Sequence, residues 1–200
     1  MLILKVMKLF SIFFTSFRTL FYSSIFRTKI KKIGVNVNFD INGKITFGEN
    51  VVIENGVTII VEKGANLQIG DNTFIGENTY IKCYGGSIQI GNNVSINSKC
   101  FLNGAGGLSI GNNTRIGTQS IMISSNHIFE RSDVLIKDQG TSREGIYIGG
   151  DVWFGARVTV LDGVHVTDRV VIGACGLVTK SINEKGAYGG VPVKLLRKMS

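Results

Sequence analysis

A six-residue spacing of apolar residues, a high glycine content and a near absence of proline predict an all-β fold. The expected architecture is a parallel β-helix, with a short basic helix before it and a short tail after it. Ile148, Phe154, Val160, Val166, Ile172 and Val178 stand six apart without a break. Upstream the same beat runs in shorter stretches: Phe47, Ile53, Ile59; Ile69, Ile75, Ile81; Ile90, Ile96, Leu102; Ile110, Ile116, Met122. A period of six matches neither an amphipathic helix nor simple strand alternation. It matches a short strand plus a turn, with one apolar side chain per unit pointing into a narrow core. Three units close a triangular coil, and stacked coils bury a column of Ile and Val. Twenty-six glycines against one proline indicate many tight turns in an ordered chain. The Gly or polar residue after each apolar position is expected at a corner, where unusual backbone angles are needed. The upstream runs begin at 47, 69, 90 and 110, spacings of 22, 21 and 20, against 18 from 148 to 166. The upstream coils therefore carry extra residues at one corner, as in Tyr84-Gly85-Gly86 and Gly104-Ala105-Gly106-Gly107.

In chain order the pattern divides into a basic apolar helical segment (1–32), the β-helix (33–183) with an extruded loop (127–146), and a tail (184–200). The first segment holds Lys5, Lys8, Arg18, Arg27, Lys29, Lys31 and Lys32 without a single acidic residue, which is +7 of the net +8. The basic character therefore belongs to one terminus and does not indicate a nucleic-acid-binding surface. On a helical period Val6, Leu9, Phe10, Phe13, Phe17, Leu20 and Phe21 fall on one side. Such a helix suits either peripheral membrane contact through residues 1–28 or packing on the protein or on a second subunit. Its longest uncharged stretch, Leu9 to Phe17, is far short of the ~20 residues that span a bilayer. No small-residue cleavage site marks it as a signal peptide. Cys83, Cys100 and Cys175 are an odd, widely spaced set, which reads as reduced thiols in a cytoplasmic protein. The helix allows a place at the inner face of the membrane.

Between Met122 and Ile148 the beat stops, and a long unrepetitive loop inside a compact fold is more often functional than not. The loop begins at His127, one of only two histidines. An imidazole of pKa near ~6.5 accepts a proton from a hydroxyl at neutral pH as that oxygen attacks a carbonyl. His165 stands inside an uninterrupted repeat, Asp162-Gly163-Val164-His165-Val166, and reads as surface structure. No cysteine has a neighbour that marks an activated thiol, so covalent catalysis is disfavoured.

Over about residues 40–195 the sequence resembles the hexapeptide-repeat acyltransferases, most closely their polysaccharide and galactoside O-acetyltransferases. The resemblance rests on His127, Gln139-Gly140, Gly145-Ile146, Val152-Trp153-Phe154-Gly155, Val171-Ile172-Gly173-Ala174-Cys175, Val178-Thr179-Lys180 and Gly190-Val191-Pro192. Cys175 replaces a customary Gly, and Val193 stands where Ala is usual. The resemblance implies a left-handed coil, an exception to the usual right-handed crossover. It implies acetyl-CoA as co-substrate, with no permanently bound cofactor and no metal, and a sugar or glycan hydroxyl as acceptor. It further implies a homotrimer with the site between neighbouring prisms and direct transfer with His127 as general base. The Ala156 N–H is then the expected oxyanion donor. Trp153, Gly155, Ala156, Gly173, Ala174, Thr179, Lys180 and Arg197 are expected to contact CoA. Asn103, Asn126 and Gln139 are expected to contact the acceptor, and Asp133, Asp138 and Glu144 are further loop candidates.

Transfer to the amine of an amino sugar, free or nucleotide-linked, uses the same histidine and remains the alternative. A zinc hydratase of the same coil needs three histidines per site, and the chain has two. A purely structural β-helix has no use for the histidine-bearing loop, and serine acetyltransferases carry a longer helical N-terminal domain than 40 residues supply.

Overall fold

The computed structural model describes the backbone of residues 2–199 and the side chains of 13–199. Helix α1 (Leu2–Phe26) precedes seven stacked coils. The coils lay their strands into three parallel sheets, which form the faces of a triangular prism. The coil winds left-handed. The predicted residues form the interior columns. On the first face Ile33, Ile53, Ile75, Ile96, Ile116, Phe154 and Ile172 stack in direct register, all excluded from solvent. The second face stacks Phe39, Ile59, Ile81, Leu102, Met122, Val160 and Val178. The third stacks Phe47, Ile69, Ile90, Ile110, Ile148 and Val166. Each such side chain contributes roughly 1.5–3 kcal/mol by leaving water.

Each first–second and third–first corner contains one residue of positive φ, but not the one expected. Asn50, Asn72, Asn93 and Asn113 are left-handed at the third–first corner, and Asn36, Asn78, Lys99, Gln119, Arg157 and Cys175 at the first–second corner. These stand three residues after the apolar position. The Gly directly after that position has another role, which is coil stacking. A Cβ on Gly48 would stand 2.2 Å from Asp71 Oδ1, and one on Gly76 would stand 2.5 Å from the Ser98 nitrogen. Cys175, at φ 61°, occupies a conformation that Gly adopts without a Cβ penalty, which explains why a Gly is customary there.

Polar residues finish the stack. Asp71, Asn92 and Asn112 each use Oδ1 to accept the backbone N–H of the coil beneath, from Glu49, Asp71 and Asn92 at 2.7–2.8 Å. Buried Thr73, Thr79, Thr114 and Ser120 donate their hydroxyls to carbonyls of the next coil, so burial leaves no unpaired hydroxyl there.

Both ends of the prism are closed. α1 stops at Arg27, left-handed at φ 51°, with Thr28 N–H donating to Ser23 O and Arg27 N–H to Ser24 O, a Schellman ending. Its inner side covers the first coil. Thr19 Oγ1 accepts the Ile33 N–H at 3.0 Å, Arg18 Nε donates to Ile33 O at 3.1 Å, and Tyr22 and Phe26 pack on Phe39 and Phe47. The helix therefore packs on the protein, as one of the two expectations has it, and does so with one side only. The side chains of Val6, Leu9 and Phe10 lie outside the described residues. At the other end the tail is a hairpin. Gly186–Gly189 extends the first face in parallel, and Lys194–Lys198 returns antiparallel to it.

Truncating the middle of the first column tests this core. Ile96→Ala is expected to lower unfolding free energy by about 2–5 kcal/mol, read as the shift in denaturant midpoint. A loss below about 0.5 kcal/mol would contradict a close-packed column.

Candidate functional site

The loop leaves coil five at the second–third corner, the corner where earlier coils carry their extra residues. Gly106 lies directly beneath its two legs. A Cβ there would stand 2.3 Å from Ser124 O and 2.8 Å from the Arg143 backbone. The legs pair as two short antiparallel strands, Asn126–His127 against Thr141–Ser142, with His127 opposite Thr141. No strand signal is present in this stretch of sequence, because the two-residue pairing is held from outside. Asp162, in the coil above, receives Ser142 Oγ–H (3.0 Å), Glu144 N–H (3.2 Å) and Gly145 N–H (2.8 Å). One carboxylate thus anchors the return leg, a role that the sequence did not reveal because Asp162 looked like an ordinary corner residue.

His127 and Asn126 are exposed at the root of this hairpin. Gln139 is committed within the loop. Its Nε2 donates to Arg131 O and Val134 O, and its Oε1 accepts the Arg131 N–H. Asp133 pairs with Arg131 at 2.7 Å, and that guanidinium holds its carboxyl below the usual range. Asp138 lies 3.0 Å from Lys137. Asn103 is buried beside the root of the loop. Its Oδ1 accepts the Ala105 N–H at 2.8 Å, and Ser124 Oγ donates to its carbonyl at 2.8 Å. Among the described residues its Nδ2 has no partner, which leaves the amide's two N–H donors available beside the loop. His165 is exposed and lies against the Tyr147 ring at 5.8 Å.

The candidates for CoA fall on separate edges of the prism. Gly155, Ala156, Gly173 and Ala174 come together at the first–second corner, with Trp153 exposed on the adjoining first face. The Ala156 and Ala174 N–H groups find no acceptor among the described residues. A Cβ on Gly117 or Gly155 would stand 2.6 Å from one or the other nitrogen. Gly117 was not singled out from the sequence, yet it is what leaves the Ala156 N–H uncovered. The same stacking recurs at Gly76, so the open donors continue along that corner. Thr179 and Lys180 sit instead near the second–third corner, above the loop. Arg197 joins Arg169, Lys185 and Lys198 around a cleft of about 570 Å³ at the C-terminal end. From Ala156 to Asp162 is one face, six residues, or about 20 Å at the rise of a strand. A single prism therefore holds His127 and the open amide row on different edges.

The thiols divide by burial. Burial pushes Cys83 and Cys100 up to about 11, while Cys175 is exposed. At pH 8 one thiol per chain is expected to react with an aromatic disulfide reagent in the native protein and three after denaturation; two fast native thiols would contradict the packing. Asp162→Ala is expected to raise tryptic cleavage at Arg131, Lys137 or Arg143 by about tenfold, since a loop freed of its anchoring hydrogen bonds opens more often. Unchanged cleavage would mean that Asp162 does not hold the loop.

Comparison with known proteins agrees with this architecture. A family model described as the hexapeptide repeat of succinyl-transferase matches residues 66–98 and 145–180. A protein of Escherichia coli K12 that carries the name lipopolysaccharide biosynthesis O-acetyl transferase is 30% identical over 146 residues, 69% of this chain and 74% of that one. Of several further relatives the chain spans less, 44% to 63% of their length. Among solved structures, the polysialic acid O-acetyltransferase OatWY superposes with a TM-score of 0.66 at 20% identity, covering 86% of this chain and 88% of that one. The Bacillus cereus N-acyltransferase AntD, solved with dTDP and coenzyme A, gives 0.59 at 18%, covering 86% and 83%. Repeat, coil and relatives converge, and the chain belongs to the hexapeptide-repeat acyltransferase family.

Proposed function

We propose that this protein is an acetyl-CoA-dependent O-acetyltransferase that acts on a sugar hydroxyl of a cell-surface polysaccharide or glycan precursor at the inner face of the membrane. The observation that carries the reading is the histidine hairpin: His127 is exposed at the root of the long loop that interrupts the coil, a loop whose return leg Asp162 holds from above. The names of the relatives supply the acyl group and the class of acceptor.

The active unit is a homotrimer. One prism brings its second–third edge, with Asn103, Asn126, His127, Thr179 and Lys180. The neighbour brings its first–second edge, with Trp153, Gly155, Ala156, Gly173 and Ala174, and threefold closure repeats the groove three times. The loop supports this arrangement: Phe129, Leu135 and Ile136 are 72%, 65% and 56% exposed, an apolar surface suited to lying on a second prism. Gln139 serves by keeping the loop folded.

In this groove the neutral His127 imidazole takes the proton of the acceptor hydroxyl while that oxygen attacks the thioester carbonyl carbon. The negative charge on the carbonyl oxygen of the tetrahedral intermediate is met by the uncovered Ala156 N–H. Collapse breaks the C–S bond, and the imidazolium returns its proton to the departing thiolate, giving the O-acetyl sugar and free CoA. Lys180 and Arg197 pair with CoA phosphates. The reading involves no acyl-enzyme: two thiols are buried, with burial pushing them up to about 11, and the third has no base beside it among the described residues.

Acceptor-dependent thiol release from acetyl-CoA, measured across a panel of sugars, tests the reading. His127→Ala is expected to lower kcat by about 10²–10⁴-fold without altering the unfolding midpoint. An undiminished rate would remove His127 as the base. Turnover with amino sugars alone would move the assignment to N-acyl transfer.

A further inference from the structure

Helix α1 has two apolar sides, and the fold uses only one. Thr19, Tyr22 and Phe26 close the first coil. On the opposite side Phe13, Phe17, Leu20, Phe21 and Ile25 are 54–71% exposed. A soluble helix ordinarily turns a polar face outward, and this row of aromatic and aliphatic side chains has no occupant among the described residues.

Its position decides what it meets. The inner side of α1 touches Ile33, Phe39 and Phe47, one residue from each column of the triangular core. The helix therefore lies across the end of the prism, and its outer side points away along the prism axis. The exposed cations Arg27, Lys29 and Lys31 follow directly, and the first acidic residue of the sequence is Asp40. Arg18 and Lys32 are engaged with Ile33 O and Glu54. Glu54 is paired with Lys32, and Glu49, next to the Asn50 whose N–H donates to Lys29 O, is an exposed anion of that rim. Against it stand three exposed cations, and an apolar strip with this excess of positive charge beside it complements the interface of an anionic bilayer. A second copy meeting face to face would bring like charges together.

We propose that the outer side of α1 docks on an anionic lipid surface, with Phe13, Phe17, Leu20, Phe21 and Ile25 in the headgroup–acyl boundary and Arg27, Lys29 and Lys31 among the phosphates. The prism then stands upright on the bilayer. The loop of coil five lies four coil spacings from coil one, about 19 Å, so docking leaves it clear of lipid. Among the described residues no helix is long and apolar enough to cross a membrane, and the contact is interfacial.

Flotation of the full chain with vesicles tests this without reference to catalysis. Vesicles of phosphatidylcholine with 30% phosphatidylglycerol (a chosen test composition, roughly that of an anionic leaflet) are compared with phosphatidylcholine alone. The wild type is expected to float with the anionic vesicles and to be released by salt. Phe17→Gln/Leu20→Gln/Phe21→Gln is expected to partition at least about a hundredfold less. Arg27→Gln/Lys29→Gln/Lys31→Gln is expected to lose on the order of a hundredfold on anionic vesicles only, at about fivefold per cation. Sedimentation of each variant checks that its assembly is unchanged. Failure of the wild type to float, flotation of the triple Gln apolar variant like wild type, or halving of the assembly mass in that variant would each overturn the proposal. The last result would assign the face to a second copy.

Discussion

The stacking of one coil on the next is the constraint on which everything else in this protein depends. Each coil is too small to bury its own apolar residues, so column register across coils is what makes a core. That register fixes which residues have room for a side chain. Gly48 and Gly76 are glycines because the next coil occupies the place of a Cβ. Asp71, Asn92 and Asn112 are polar because the coil beneath presents an unpaired N–H at that height. Gly117 and Gly155 follow the same rule, and the result is a corner of uncovered amide donors. A feature that stacking requires thus leaves a row of open hydrogen-bond donors at the surface.

The loop uses the same constraint in another way. Coils two to four carry extra residues at the second–third corner, and the long excursion of coil five departs from that corner. Gly106 lets the legs descend onto the coil below, and Asp162 holds the return leg from the coil above. The histidine is thus positioned by two coils to which it does not belong. At the N-terminal end the requirement is to stop the stack, and α1 does so with one side while leaving the other free.

Much of this was legible in the sequence because a six-residue period is a local signal and the core has one dominant residue per unit. Ile53, Ile75, Ile96 and Phe154 all fall on the six-residue beat, and all stand in the first column. The histidine was legible because the period breaks there. What could not be read depends on contacts between residues distant in sequence. The Gly after each apolar residue suggested a left-handed turn, whereas the left-handed residue stands two places further on and the Gly answers to the coil above. Gln139 looked like an acceptor ligand, but its donors are taken by Arg131 O and Val134 O. Asp162 gave no signal because its partners lie 17–20 residues earlier. The separation of His127 from the Ala156–Ala174 corner by one face of the prism was likewise invisible until the coil was closed.

That separation carries the central claim, which is that two chains build one site. Co-assembly of His127→Ala with Ala174→Trp, the latter filling an exposed corner with an indole, tests it most directly. Each variant alone is expected to be inactive in acetyl-CoA-dependent transfer to a sugar. In mixed trimers about a quarter of the grooves would pair an intact histidine edge with an intact amide edge under random mixing, and activity should return to that level. Mixed assemblies that form but stay as inactive as either variant alone would contradict a site shared between neighbouring prisms.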